Sequence, residues 1–140
     1  MSFNAYDRHG LVGRPKIYIA GPITSSGNLS SNVRNGMSVG TEVYAIGGVP
    51  FIPHLSELVN LSSDKMTWDD WIDYDKEWIR SCDALFRLPG KSKGAAREVR
   101  LMRKLGRPVF KKWVKLYAFI KEWERQLVAK GKKKKHQKAK

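Results

Sequence analysis

The chain predicts an α/β domain: a small, doubly wound parallel sheet with helices on both of its faces. Short runs of β-branched and aromatic residues alternate with longer segments in which apolar residues recur every three or four positions. Glycine or proline punctuates the junctions, as in Gly21-Pro22, Gly47-Gly48 and Gly106-Arg107-Pro108. Repeated strand-helix order favours parallel neighbours joined by helical crossovers. With 140 residues there is room for one core, and no internal repeat is visible.

Residues 1–14 have no usable period and read as a flexible lead-in to a domain over 15–129. Lys16-Ile-Tyr-Ile-Ala20 is the first strand, buried by its composition, and a loop rich in Ser, Gly and Asn follows it. Val33, Met37, Gly40 and Tyr44 share a helical face, so a first helix is expected over about Ser31 to Ile46. Val49 to Pro53 reads as the second strand. The polar stretch from His54 to Lys65 has weak periodicity and is long for a connection, which predicts a loop covering a ligand. Thr67 with Asp70 resembles a capping box, with Met66 and Trp71 as its staple, and starts a helix that continues to Ser81. Ala84 to Leu88 is the third strand, Lys93 to Leu105 the next helix and Pro108 to Phe110 the fourth strand. A last helix carries Trp113, Leu116, Tyr117, Ile120 and Leu127 on one stripe.

The net charge of +14 is unevenly placed. Residues 1–90 carry eight Lys/Arg and ten Asp/Glu, net −2, whereas residues 91–140 carry nineteen and three, net +16. Seven of those cations fall in 130–140, a run without acids or large apolar side chains, which is expected to be a disordered lysine-rich tail. Such a tail adds salt-sensitive, non-specific contact with nucleic acid without being the main function. The only cysteine, Cys82, has no partner for an internal disulfide, and no apolar stretch is long enough to span a bilayer. A cytoplasmic location without membrane contact is the simplest expectation.

In a sheet of this kind ligands sit beyond the carboxyl ends of the strands, so residues after the first and third strands are the first candidates. Glu98 lies on the helix that follows Gly90-Lys-Ser-Lys-Gly94 and can face such a crevice as a nucleophile. Ser92 precedes that helix as a natural N-cap, and a helix amino terminus also receives anions; both roles are compatible. Asp75 lies four residues after Trp71 and four before Ile79, which places its carboxylate on or beside an apolar stripe. A helix rotated slightly would leave it solvated beside Asp69, Asp70 and Asp73, and the spacing leaves both arrangements open. Asp83 stands just before the third strand, where a carboxylate commonly caps or turns the chain.

As an ordered set, Ile17-Tyr-Ile-Ala-Gly-Pro22, Asp75 and Asp83 eight residues apart, Ser92-Lys-Gly94, Glu98 and Leu105-Gly-Arg-Pro-Val109 resemble the nucleoside 2-deoxyribosyltransferase-like superfamily. The likeness is nearest to its small Tyr-Ile-Ala-Gly-Pro branch and to the 2′-deoxynucleoside 5′-monophosphate N-hydrolases, and it covers about residues 16–110. It implies a flavodoxin- or Rossmann-like fold and an enzyme that cleaves or transfers the N-glycosidic bond of a (deoxy)nucleotide or (deoxy)nucleoside. Glu98 is then the nucleophile, Tyr18 orients it, and Asp75 contacts the sugar or helps to protonate the leaving base. Gly21, Pro22, Ile23, His54, Asp83, Ser92 and Gly94 become substrate-binding candidates, with Ser92 at the spacing of a 5′-phosphate ligand. No metal or organic cofactor is implied, and a homodimer or larger homo-oligomer is. Hydrolysis of another ribosyl compound such as NAD is an alternative, as is an inactive basic nucleic-acid-binding protein of the same fold. The last helix and the lysine tail match no motif of that superfamily.

Overall fold

A computed structural model describes residues 10–25 and 27–138. Four strands, β1 (Lys16–Ala20), β2 (Val49–Phe51), β3 (Ala84–Arg87) and β4 (Val109–Phe110), form one parallel sheet in the order β2-β1-β3-β4. Among the described residues five α-helices accompany them: α1 (Leu29–Ala45), α2 (Ser56–Ser62), α3 (Trp68–Ser81), α4 (Lys93–Lys104) and α5 (Trp113–Lys138). This is the doubly wound α/β architecture expected from the sequence.

Alternation along the strands divides the core in two. Ile17 and Ile19 of β1 join Ala84 and Phe86 of β3 on one face, under Val43 of α1 and Leu116 and Ile120 of α5. Tyr18, Ala20 and Leu85 face the other way, under Ile79 of α3 and Ala95, Val99 and Met102 of α4. Pro50 lacks a ladder donor, which β2 tolerates because it is an edge strand.

The start of α3 follows its sequence signature closely. Thr67 Oγ1 accepts from the Asp70 amide at 3.2 Å while Asp70 accepts from the Thr67 amide at 2.7 Å, closing the capping box. The far end of α3 is clamped by Arg107, whose guanidinium donates to the carbonyl oxygens of Ile79, Arg80 and Cys82.

Three expectations need correction. The stretch from His54 to Lys65 is not a plain loop: a 3-10 turn at Pro53–Leu55 leads directly into α2. Leu58, Val59 and Leu61 all point outward, so this helix has no inward apolar stripe from which it could be read. The lead-in is shorter than the expected 1–14. Arg14 is buried, donating through Nε to the Gly10 carbonyl at 2.9 Å and through a terminal nitrogen to the Gly47 carbonyl at 3.3 Å; the rest of that segment, 1–9, lies outside the described residues. Finally, the tail expected to be disordered from Lys130 is helical as far as Lys138, while 139–140 lie outside the described residues. Lysine is a good helix former, and here it only extends a helix already nucleated by packing.

The path of α5 sets where that basic end lies. The helix leaves β4 at the carboxyl edge of the sheet, packs Leu116 and Ile120 into the core, and then reaches the amino edge. There Trp123 Nε1 donates to the Gly13 carbonyl at 2.8 Å, and Glu124 pairs with Lys121 at 3.3 Å and with Arg14 at 4.0 Å. The apolar stripe of this helix is therefore largely used in its own core. Its lysine-rich end lies at the edge of the sheet opposite the carboxyl ends of the strands.

Candidate active site

In the order β2-β1-β3-β4 the connections after β1 and β3 depart in opposite directions, which parts their loops and opens a crevice at the carboxyl edge. At that point β1 and β3 run close together. A Cβ on Gly21 would come within 2.8 Å of the Leu88 Cβ, so glycine is the residue that lets the two strand ends converge. Ser25 Oγ donates to the Lys91 carbonyl at 2.9 Å, tying the first loop to the third. Arg87 donates to the carbonyl oxygens of Leu88 and Gly90 and holds the turn that leads into α4. Between these loops and helices α2, α3 and α4 lies a cleft of about 740 Å³.

Glu98 reaches the cleft because of its place on α4. It stands three residues after Ala95 and four before Met102, both buried, so it shares their inward face but sits beyond the edge of the sheet. Tyr18, wholly buried on β1, donates its hydroxyl to Glu98 Oε1 at 3.0 Å. Burial pushes the Glu98 carboxyl up to about 8, and the nearby Asp75 charge adds to the rise. The Tyr18 hydrogen bond and the Arg87 and Arg97 charges act in the opposite direction. Burial, with Glu98 and Asp75 beside it, raises the Tyr18 hydroxyl well above its usual value, so it remains a donor.

Asp75 lines the same cleft from α3. One of its carboxylate oxygens is buried without a hydrogen-bond partner among the described residues, and burial pushes the carboxyl up to about 7. An unpaired buried carboxylate is costly as an anion, and protonation relieves that cost. Two acids with elevated pKa values thus face one cavity, close enough for the charge of one to act on the other.

Six of the ten sequence candidates line this cleft: Glu98, Asp75, Gly21, Ile23, Ser92 and Gly94. Ser92 caps α4, its Oγ accepting from the Ala95 amide at 3.1 Å. Tyr18 supports Glu98 from below. Pro22 continues the first loop and packs beside Gly90.

His54 and Asp83 are placed elsewhere. His54 is fully buried behind the cleft against Gly36, where an added Cβ would meet the ring at 2.6 Å. Burial lowers its pKa against a smaller opposing effect of the Pro22 backbone, which makes it a neutral packing residue. Asp83 stands at the amino edge of the sheet, accepting from the Lys16 amide at 2.8 Å while its own amide donates to the Lys16 carbonyl at 2.8 Å. It clamps the starts of β1 and β3, at the opposite end of the strands from the cleft.

The sequence places the stretch from His54 to Lys65 over a ligand, but none of the wall residues that α2 and the start of α3 contribute is among its site candidates. Trp68, Trp71 and Asn60 line the cleft there, and Trp71 Nε1 donates to Asn60 Oδ1 at 2.7 Å. The available signal was the density of tryptophan just inside a capped helix start. From Trp71 a row of rings leads back to the site through Tyr74, Trp78 and Phe51 to Tyr18, with centroid separations of 5.4, 6.2, 4.9 and 5.5 Å.

No curated protein matches this chain. Among solved structures it is similar to the 2-desoxiribosyltransferase from Leishmania mexicana, with 24% sequence identity, a TM-score of 0.52, and coverage of 69% of this chain and 62% of that one. The chain thus spans less than two thirds of that protein's length, and the likeness is one of fold. In the described residues no helix is long and apolar enough to cross a membrane. The sequence family described as a domain of unknown function, DUF4406, matches residues 15–111, and with more than half of its length inside that match the chain belongs to this family.

Proposed function

We propose that this protein cleaves, or transfers to an acceptor, the N-glycosidic bond of a (deoxy)nucleotide or (deoxy)nucleoside, with Glu98 as nucleophile. The observation that carries this reading is one arrangement: a carboxylate held by a buried tyrosine, in a switch-point cleft that it shares with a second, half-buried acid whose charge reaches it. The fold it shares with a 2-desoxiribosyltransferase agrees with the reading.

The chemistry follows from the positions. The ionised Glu98 attacks the anomeric carbon as the carbon–nitrogen bond breaks, while Asp75 gives its proton to the departing base. A glycosyl ester on Glu98 results. Asp75, now a base, deprotonates a water or an incoming acceptor that attacks the same carbon and frees Glu98. Tyr18 positions the carboxylate throughout. Every step uses side chains of this chain and the substrate.

A screen of deoxy- and ribonucleotides and nucleosides, read by chromatography for free base, tests the proposal. Release of a base from at least one of them, lost in Glu98→Gln, supports it. No release from any member, NAD included, leaves a binding protein with this fold.

Ser92 separates phosphate recognition from capping. If it contacts a 5′-phosphate, Ser92→Ala raises KM for monophosphates much more than for nucleosides, because that contact acts on ground and transition states alike. Loss of the cap costs about 1 kcal/mol of stability in either case. Equal kinetic effects on the two substrate classes would reduce Ser92 to a cap.

The lysine-rich end of α5 is proposed as an auxiliary polyanion contact. Deleting 130–140 is expected to leave base release from free nucleotides unchanged, since this end emerges at the edge away from the cleft. Binding to DNA should weaken and its salt dependence flatten, as fewer phosphates are neutralised. Loss of activity in a folded truncated protein would refute this division of labour. Association of copies also belongs to the proposal: Leu58, Leu61 and Trp78 leave exposed apolar surface on α2 and α3 outside the cleft lining.

A further inference from the structure

The wall formed by α2 and the start of α3 carries a donor whose direction is fixed. Indole nitrogen is a donor only, so the Asn60 atom facing Trp71 Nε1 at 2.7 Å is the carbonyl oxygen, and the amide NH2 of Asn60 is left to face outward from that bond. Asn60 and Trp71 both line the cleft. Trp71 is itself held edge-on by Tyr74, with centroids 5.4 Å apart and planes at 81°, so the orienting group is itself braced. Beside it Trp68 lines the same wall with 65% of its surface exposed, which leaves most of a large apolar ring open to a stacking partner.

We infer that this wall is a nucleobase subsite, in which Trp68 stacks on the base and the Asn60 amide donates to an exocyclic carbonyl, selecting keto bases over amino bases. The inference rests on the reading of the cleft as a nucleotide site. Distance along α3 supports it. Asp75, the residue that protonates the leaving base, is four residues after Trp71 and on the same face, about one helical turn or 5.4 Å further on. A base lying against Asp75 therefore extends to the Trp71–Asn60 pair. An amino group at that position would set donor against donor where a keto oxygen accepts, so one hydrogen bond separates two otherwise isosteric ligands.

The test uses pairs of ligands that differ at that exocyclic group: deoxyinosine against deoxyadenosine monophosphate, and deoxyuridine against deoxycytidine monophosphate. Binding to the full chain is followed by quenching of tryptophan fluorescence, independently of turnover. The wild type is expected to bind the keto member of each pair about tenfold more tightly, the effect of one hydrogen bond gained and one clash avoided. Asn60→Asp still accepts from Trp71 but presents oxygen in place of NH2, so the preference should vanish or reverse. Trp71→Phe releases the amide to turn over and should lessen the preference, whereas Trp68→Ala should weaken all four ligands alike and leave the ratio intact. Equal affinities in the wild type, or a ratio unchanged in Asn60→Asp, would overturn the role of Asn60 while leaving the nucleotide site standing. Absence of quenching by all four, together with absence of base release in the screen, would overturn the reading of the cleft and this inference with it.

Discussion

Glu98→Gln is expected to abolish base release, with a loss of at least about 10³-fold in kcat, while the protein remains folded and still binds nucleotides. The amide keeps the shape of the carboxyl and can still accept from the Tyr18 hydroxyl, but it cannot form the glycosyl ester. Near-wild-type turnover would remove Glu98 from the mechanism. The same variant should change the dependence of stability on pH. Burial and the Asp75 charge raise the Glu98 pKa from 4.5 to about 8, so the folded protein holds this proton more tightly than the unfolded chain does. Its contribution to stability is fully present below about pH 4.5 and is lost as pH rises through about 8. Melting temperatures of the wild type should fall across that window relative to Glu98→Gln. A parallel pH profile of the two proteins would show that Glu98 is not in the desolvated state described above.

The second large effect concerns pH and Asp75. With the two carboxyls raised to about 7 and about 8, the pair holds one proton near neutrality. Turnover requires that proton on Asp75 with Glu98 bare. In the empty cleft it favours Glu98, and the Tyr18 hydrogen bond and the Arg87 and Arg97 charges offset that preference in part. The rate is expected to rise as the pair loses its first proton and to fall as it loses the second, a bell whose limbs belong to the pair and to neither residue alone. Asp75→Asn should lower activity about 10²- to 10⁴-fold. It should also remove the alkaline limb, because no acid remains to be lost, and shift the acidic limb downward in part, because burial still raises Glu98 but the added Asp75 charge is gone. A variant with an unaltered bell would show that Asp75 is not the partner acid.

The sheet and most of its helices were legible because local chemistry and burial agree there. Ile17 to Ala20 is apolar on both faces, as a central parallel strand must be, and Thr67 with Asp70 encodes a helix start in four residues. Where the fold diverges from the sequence reading, the deciding contact is distant. The place of His54 depends on a pit over Gly36, eighteen positions away, and no local pattern around the histidine reports it. α2 turns its leucines outward and so lacks the inward stripe by which helices are recognised. Asp83 is a different case. It precedes a parallel strand, which already puts it at the amino edge and away from any crevice at the carboxyl ends, so its structural role could have been deduced from topology alone. The places of Glu98 and Asp75 beside the cleft were legible because one lies on the helix after a strand's carboxyl end and the other sits at helical spacing from apolar neighbours, whereas Asn60 acquires meaning only from the indole it faces.

The capture of the α3 carboxyl end by Arg107 has a mechanical consequence. Three carbonyl oxygens at residues 79, 80 and 82 are gripped by one guanidinium, and Ile79 is the buried anchor of the helix, whereas Trp68 at the other end stands mostly in solvent. The helix is a lever fixed at one end and braced along its length by rings, so the free energy of local opening must decline from Cys82 toward Thr67. Small rotations about the gripped end are magnified at the tip. Asp75 lies nearer the gripped end than Trp71 does, so of the cleft residues on this helix the acid is the one held most firmly relative to Glu98.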